Sequence, residues 1–439
     1  MQFKSTSTAR STALGASKLL VALAVWTLPA AATGPDAKGE WRQWRGPTNN
    51  GVAEGDAPLK FSDTENVKWR VKIPGKGHST PLISGGTMYL TTSVESGTTT
   101  ETGSLSAHDF LVMALDTKTG KEIWRKTAAS TSPHEGYHRT YGSFASNSPV
   151  TDGEVLIANF GSRGVYAYDL DGKLLWKKDL GKLYMRNAFG EGIAPVLHGD
   201  SLIIQNDHEG QSYIVVLDKN SGKELWRAER DELSSWPQPI VVEYDGQKQL
   251  VTSSTRVRSY DLESGDLIWE AGGLGGNAIP AVVNVDNEMV IAMTGWRGAN
   301  LLAIRLGGKG DITDDPDYIK WTNQRGNSYT ASPVLHDGIL YFVTDRGMIS
   351  AFDAVSGEPH YSQQRLPNTY SFKASPVAAN GKLFLASEQG DVIVLKMGKS
   401  YEVVAVNNMG DEMFVSSPVI HDGNLYLRSE DDLFCISSD

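Results

Sequence analysis

From residue 66 onward, short apolar runs alternate with polar turns rich in glycine, and the whole pattern recurs along the chain. Most units open with a small residue, a proline and a hydrophobic residue, as in Ser332-Pro333-Val334 and Ser417-Pro418-Val419. An Asp-Gly or Asn-Gly pair follows (Asp152-Gly153, Asn380-Gly381, Asp422-Gly423) and supplies the positive φ angles of a tight hairpin. Next come an apolar run ending in Asp, a Thr-Gly-Lys turn and a large aromatic. The opening prolines stand at 81, 149, 195, 239, 280, 333, 376 and 418. Proline cannot donate to a ladder, so it is tolerated where a strand begins. A unit in the low forties built of four short strands is the size of one propeller blade, and eight prolines predict eight blades. Two intervals are long, which places loop insertions near Ser93–His108, Thr127–Ala145 and Gly307–Asp317.

The aromatic keeps a fixed place. Asp116 precedes Trp124 by the spacing that joins Asp218 to Trp226 and Asp261 to Trp269, and Asp169 to Trp176 is one residue shorter. The fifth unit has Arg305 in place of the Asp and reaches Trp321 after an insertion, the sixth has Tyr361, and the seventh keeps only Tyr401 nearby. One large aromatic per blade suits a wedge between neighbouring sheets, so Trp69, Trp124, Trp176, Trp226, Trp269 and Trp321 are expected to dock one blade on the next. The last stretch, from Phe414, has room for three strands. Asn66 to Val71 resembles Tyr318 to Trp321 and is expected to supply the fourth, closing the ring and removing its open edges. Cys435 then falls in an apolar strand as a core residue.

Three segments result: an export signal over 1–32, an extended lead-in over 33–65 and an all-β eight-bladed propeller over 66–439. The signal has Lys4, Arg10 and Lys18, an apolar core from Leu19 to Leu28, and small residues Ala30 to Ala32. That core is shorter than the roughly 20 residues of a transmembrane span, and no cysteine follows it for lipid attachment. The expected product is a periplasmic or secreted monomer with no membrane span. A formal charge of −11 without long basic runs argues against a nucleic-acid partner. A single cysteine excludes intrachain disulfides and cysteine-based metal clusters.

The unit Ala114-Leu115-Asp116-x-x-Thr119-Gly120-Lys121-x-x-Trp124, with its copies at 216–226 and 259–269, resembles the PQQ-like repeat of quinoprotein-type eight-bladed propellers. That family covers quinone-dependent alcohol dehydrogenases and the propeller lipoprotein of the outer-membrane β-barrel assembly machine. The leader Trp41-Arg42-Gln43-Trp44-Arg45-Gly46-Pro47, with Asn50-Gly51-Val52-Ala53, is similar to the lead-in of secreted members and is expected to run extended along the ring. For the dehydrogenases, the resemblance implies a quinone held between a vicinal disulfide and a Trp floor, with calcium on Glu and Asn and an Asp base. Glu191, Asn277 and Trp236 match parts of that set, but one cysteine cannot form the disulfide.

Function in a propeller normally resides on the face that carries the interblade loops. His78, Glu191, Trp236, Asn277, Tyr329, Phe372, Lys373 and Phe414 precede the blade-opening prolines and are expected to ring the central mouth. The second-to-third turns add Arg163, Arg256, Arg297 and Arg346. Arginines and aromatics are the usual anchors of binding surfaces. The expectation is a non-catalytic binding or scaffold protein for an envelope or secreted protein, a peptide or a small anionic ligand, with no cofactor. The alternative is a PQQ-dependent oxidoreductase using calcium. His134-Glu135-x-x-His138 and Asp207-His208-Glu209 are expected to be solvated loop groups, Asp311-x-Thr313-x-Asp315 a turn, and no metal site is expected.

Overall fold

The computed structural model describes residues 39–97, 105–296 and 298–438. The predicted export signal, Arg297 and the tip of the first insertion lie outside the described residues. The described chain forms eight sheets of mainly antiparallel strands, numbered here as blades 1 to 8 in chain order, with blades 2 to 7 spanning Val150–Lys178, Val196–Arg230, Ile240–Ala271, Val283–Asn323, Val334–Arg365 and Val377–Asn408. Blade 1 runs Leu82–Ser84, Thr87–Glu95, His108–Asp116 and Glu122–Thr131. Blade 8 combines Val419–His421, Asn424–Arg428 and Asp432–Ile436 with Val67–Lys72 as its outer strand. Trp69 pairs with Cys435 and Val71 with Leu433, so the two ends of the propeller segment close the ring in one sheet. Cys435 is fully buried there.

The blades are locked together at the outer strands. Trp69, Trp124, Trp176, Trp226 and Trp321 each donate the indole N–H to a turn carbonyl of the next blade, on Thr117, Leu170, Lys219, Leu262 and Ala354 at 2.8–3.1 Å. A register shift beside each of these aromatics makes the preceding residue a bulge. That bulge turns the indole towards its neighbour and leaves Ile123 and Leu225 more than half exposed. The indole then lies on the glycine of the neighbouring turn. A Cβ on Gly222 would sit 2.6 Å from Trp176, and the backbone there has φ +68°. Only glycine meets both demands.

Trp269 departs from the expected docking. Blade 5 carries Arg305 where the turn would begin, so the Trp269 indole has no Thr-Gly turn to meet. It is fully buried and directed at Gln249 Oε1 of its own blade at 3.4 Å. The third insertion adds Gly310–Asp311 as a fifth, parallel strand alongside it. Between blades 6 and 7, tyrosines take over: Tyr401 Oη donates to the Arg365 carbonyl, and Tyr341 Oη accepts the Gly398 N–H.

A second set of bonds joins the blades near the axis. Before four of the prolines, the backbone N–H donates to the hydroxyl of a neighbouring blade's pre-proline residue: Ser332 to Ser375, Ser375 to Ser417, Ser417 to Thr80 and Thr80 to Ser148. The third of these crosses the ring closure. The second insertion differs from expectation at its start, because the outer strand of blade 1 continues through Thr131.

The lead-in does not follow the ring. It crosses the face that carries the Asp-Gly hairpins. Trp41 bridges Ile83 of blade 1, Arg42 donates to the Asp152 carbonyl of blade 2, and Ala53 donates to Ala378 of blade 7. Between these anchors Trp44 lines the central channel, and buried Arg45 donates to the Pro333 and Pro376 carbonyls. The segment therefore stoppers the channel on one face.

Gly222→Ala should lower stability by about 3 kcal/mol, from backbone strain plus the clash with Trp176. Gly246→Ala, at φ +74° in an open hairpin, should cost only about 1 kcal/mol. Urea denaturation of both variants measures the difference, and equal losses would mean that the docking contact contributes nothing of its own.

Candidate functional site

Opposite the lead-in, the interblade loops of blades 1 to 7 surround an open basin of about 550 Å³. Its walls are aromatic. Trp296 stacks on Tyr329 at 5.3 Å and 28°, and His138 stacks on Tyr141 at 4.9 Å and 12°. Trp236 is fixed by its indole N–H to the Gly190 carbonyl at 2.9 Å. Arg186 stands exposed on the wall, with Nη1 donating to Asn277 Oδ1 at 3.3 Å. Its loop is strained, with Asn187 and Ala188 both at φ +51°. An alanine in that region is uncommon and is held only by surrounding structure. The support is visible: Ser234 Oγ accepts the Arg186 N–H and donates to Glu209.

Below that wall lies a buried ion network. Arg230 and Asp207, both fully buried, pair at 2.8 and 3.1 Å, and Arg230 also donates to Thr252 and Tyr260 of blade 4. Arg258 joins Asp231, Glu232 and Glu270. Asp207 and His208 are therefore buried structural residues rather than solvated loop groups, while Glu209 is exposed and accepts the Ser234 hydroxyl. Burial pushes the His208 imidazole down.

Glu191, Trp236, Asn277, Tyr329 and Lys373 line the basin together. Glu191 is the one carboxylate among its described lining residues, and it is committed. Its oxygens accept the Ser162 N–H at 2.6 Å, the Ser162 hydroxyl at 2.7 Å and Arg163 Nη1 at 2.8 Å. Lys373 pairs with Asp345, and Asp345 also takes both donors of Thr330. These acids hold the Lys373 ammonium above its usual range despite burial.

Several expected rim residues are elsewhere. Phe372 and Phe414 are fully buried in the core, because each turns between its sheets rather than to the axis. Arg163 is buried against Glu191 and lies over Phe110 and Phe144. Arg256 is spent on Glu270 and Asp311 at the outer edge. Arg346 is exposed and is not among the basin residues. His78 sits deeper, in a neck beneath the basin.

His134, Glu135 and Glu191 bring ligand-type atoms within 4.8 Å of one another, while His138 turns away to the basin. All three groups are already engaged. His134 Nε2 contacts the Leu183 carbonyl, Glu135 accepts the Met185 N–H, and Glu191 holds Arg163. Burial pushes the Glu135 carboxyl up. Arg186, His138, Tyr141, Phe189 and Trp296 were not expected at the site. They come from the Thr127–Ala145 insertion, the interblade loop after blade 2 and the second-to-third turn of blade 5, whose course no repeat fixes. The one available signal was aromatic and basic content inside the Thr127–Ala145 insertion.

The family model described as outer membrane protein assembly factor BamB matches residues 108–363, more than half of the chain. BamB from Moraxella catarrhalis superposes with a TM-score of 0.57 at 13% identity, over 84% of this chain and 98% of that one. Quinohemoprotein alcohol dehydrogenase from Comamonas testosteroni gives 0.61 at 11% identity, over 91% of this chain and 81% of that one. A europium-containing methanol dehydrogenase gives 0.62 at 11% identity, over 90% and 98%. At these identities the superpositions speak for the fold alone. No curated protein sequence matches the chain.

His78 provides a pH prediction. Burial, with Arg428 and Lys76 nearby, pushes its imidazole down to about 3. Between that value and 6.5 the unfolded chain binds a proton that the folded chain refuses, so stability falls as pH drops below 6.5. Relative to His78→Gln, the protein should lose about 2 kcal/mol between pH 7 and pH 5. Urea unfolding of both forms at the two pH values measures this, and parallel acid limbs would refute it.

Proposed function

The chain belongs to the family of the outer membrane protein assembly factor BamB, and on that premise we propose that it is a non-catalytic binding propeller of the periplasm or envelope. Its ligand is an extended segment of an envelope polypeptide, held at the basin. The reading rests on the lining: a wide open bowl whose walls are stacked aromatics, with an exposed guanidinium and no uncommitted carboxylate among the described lining residues. Aromatic side chains bury large area at low entropic cost, and arginine reads carboxylates and backbone carbonyls. The leader expected over 1–32 agrees with that location.

The quinone-dependent alternative asks for calcium on Glu and Asn. Glu191 does not fit that demand, since a guanidinium, a hydroxyl and a backbone N–H already fill its oxygens. Asn277 Oδ1 faces Arg186, a cation that would repel the metal. Cys435 is buried in blade 8, far from forming any cap over the basin.

Peptides copied from the strands of an outer-membrane protein should quench tryptophan fluorescence of the full chain. Trp236→Ala and Arg186→Ala should each weaken binding about tenfold, equivalent to about 1.4 kcal/mol. Dye reduction with alcohols or sugars after adding PQQ and calcium, or peptide affinity untouched by both substitutions, would overturn the proposal.

A further inference from the structure

Beneath the basin the channel narrows to a neck of about 130 Å³, closed below by Trp44. Thr80, Ser148, Ser375 and Ser417 line it, one from each of four blades, together with His78. Every one of these hydroxyl oxygens already accepts a backbone N–H from an adjacent blade, at 2.8–3.1 Å. A hydroxyl has one proton to give. With the oxygens turned to the wall as acceptors, the four protons have no acceptor among the described residues. The neck thus carries an arc of unspent donors on four neighbouring blades, with Ala194, Trp236 and Ile279 lining it on the others.

The wall behind this arc is positively charged. Arg45 is fully buried and donates only to the carbonyls of Pro333 and Pro376, next to Ser332 and Ser375. Arg428 is 1% exposed and donates to the Ser79 carbonyl and hydroxyl and to the Thr91 carbonyl, next to His78 and Thr80. Each leaves its Nε without a partner, and neither meets a carboxylate among the described residues. A buried charge left unpaired is costly, so proteins normally set a counter-charge beside it. Here two guanidiniums share that deficit, one at the junction of blades 6 and 7 and the other at the junction of blades 8 and 1. The other cations nearby do not explain the surplus, because Lys373 is balanced by Asp345 and Arg163 by Glu191.

We propose that the neck is an oxyanion site, taking a carboxylate-sized group on the propeller axis. The four hydroxyls donate to its oxygens, and Arg45 and Arg428 supply the counter-charge through the wall. Hydrogen bonds to an ionised acceptor are about twice as strong as neutral ones, which suits an arc of donors with no other acceptor. Water fits the same volume but leaves the two guanidiniums uncompensated. The ring of His78 bonds the Gly142 backbone, so its unpartnered Nε2 takes a hydrogen bond from a water accompanying the anion. Trp236, shared by basin and neck, gives the flat body of such a ligand a wall to lie on. This site does not depend on polypeptide capture above it.

Isothermal titration of the full chain with benzoate and benzamide tests it without any variant, since the two share shape and differ in charge. Benzoate should bind at least tenfold more tightly and raise the melting temperature by mass action. Ser148→Ala/Ser417→Ala should abolish that preference while peptide binding at the basin persists. Inorganic phosphate is the second arm: affinity matching benzoate assigns a free oxyanion, and weaker affinity assigns a carboxylate carried on a larger molecule. Equal binding of benzoate and benzamide would overturn the inference and leave the peptide reading standing. A benzoate preference without peptide capture would do the reverse.

Discussion

The structure depends on one contact made again and again: an indole laid flat on the glycine of the next blade's turn, its N–H bonded to a carbonyl beside that glycine. No blade can bury both of its faces alone, so stability belongs to junctions rather than to sheets. The contact needs three local features at once. A bulge must turn the aromatic outward, a glycine must accept positive φ, and an Asp must order the turn. Asp116 shows the last of these, accepting both the N–H and the hydroxyl of Thr119. These hydrogen bonds hold its carboxyl below the usual range. Where the Asp is lost, at Arg305, the junction changes form and a fifth strand is recruited to cover Trp269.

A ring of such junctions has to close, and closure is where sequence distance is greatest. Val67–Lys72 meets Asp432–Ile436 across almost the entire propeller segment. Arg70 and Lys72 both pair with Asp432, whose carboxyl they hold below its usual range. Asp432 is buried but both cations are exposed, so the pairs contribute modestly. The Trp69 indole in its slot and the apolar strand around Cys435 contribute more, because both are removed from water. The Ser417-to-Thr80 bond repeats the closure at the axis. Two independent fastenings, one at each radius, resist shear of the last blade against the first.

The repeat was legible because each of its residues answers a local demand: proline where a strand begins, Asp-Gly where a hairpin needs positive φ, Trp where two sheets meet. The N-terminal outer strand was legible for the same reason, since Lys68-Trp69 echoes Lys320-Trp321. The basin was far less so. Counting back from a proline finds residues near the axis, and of these Glu191, Trp236, Asn277, Tyr329 and Lys373 line one basin. It cannot tell which side of the backbone faces the axis, so Phe372 and Phe414 went to the core instead. Arg163 was visible as a charge, but its partner Glu191 lies in the next interblade loop, beyond any local pattern. The insertion that carries His138 and Tyr141 has no repeat to discipline it. The lead-in was misjudged for a related reason: Arg45 is bonded to carbonyls at Pro333 and Pro376, contacts that only the closed ring creates.

These features together explain why the axial cavity is a dead end rather than a passage. Four blade-opening hydroxyls are consumed as acceptors by the ring's own backbone, which leaves their protons unspent. The lead-in that stops the lower opening brings Trp44 as a floor and Arg45 as a charge, so one segment both seals the channel and polarises it. Arg428, from the closing blade, adds the second charge at the junction with blade 1. On a chain whose formal charge is −11, a buried positive surplus persists only where the fold cannot place an acid without breaking a junction, or where an anion completes the site. The arc of hydroxyls favours the second. It occupies the positions nearest the axis with donors, which solvate an incoming anion far better than they solvate each other.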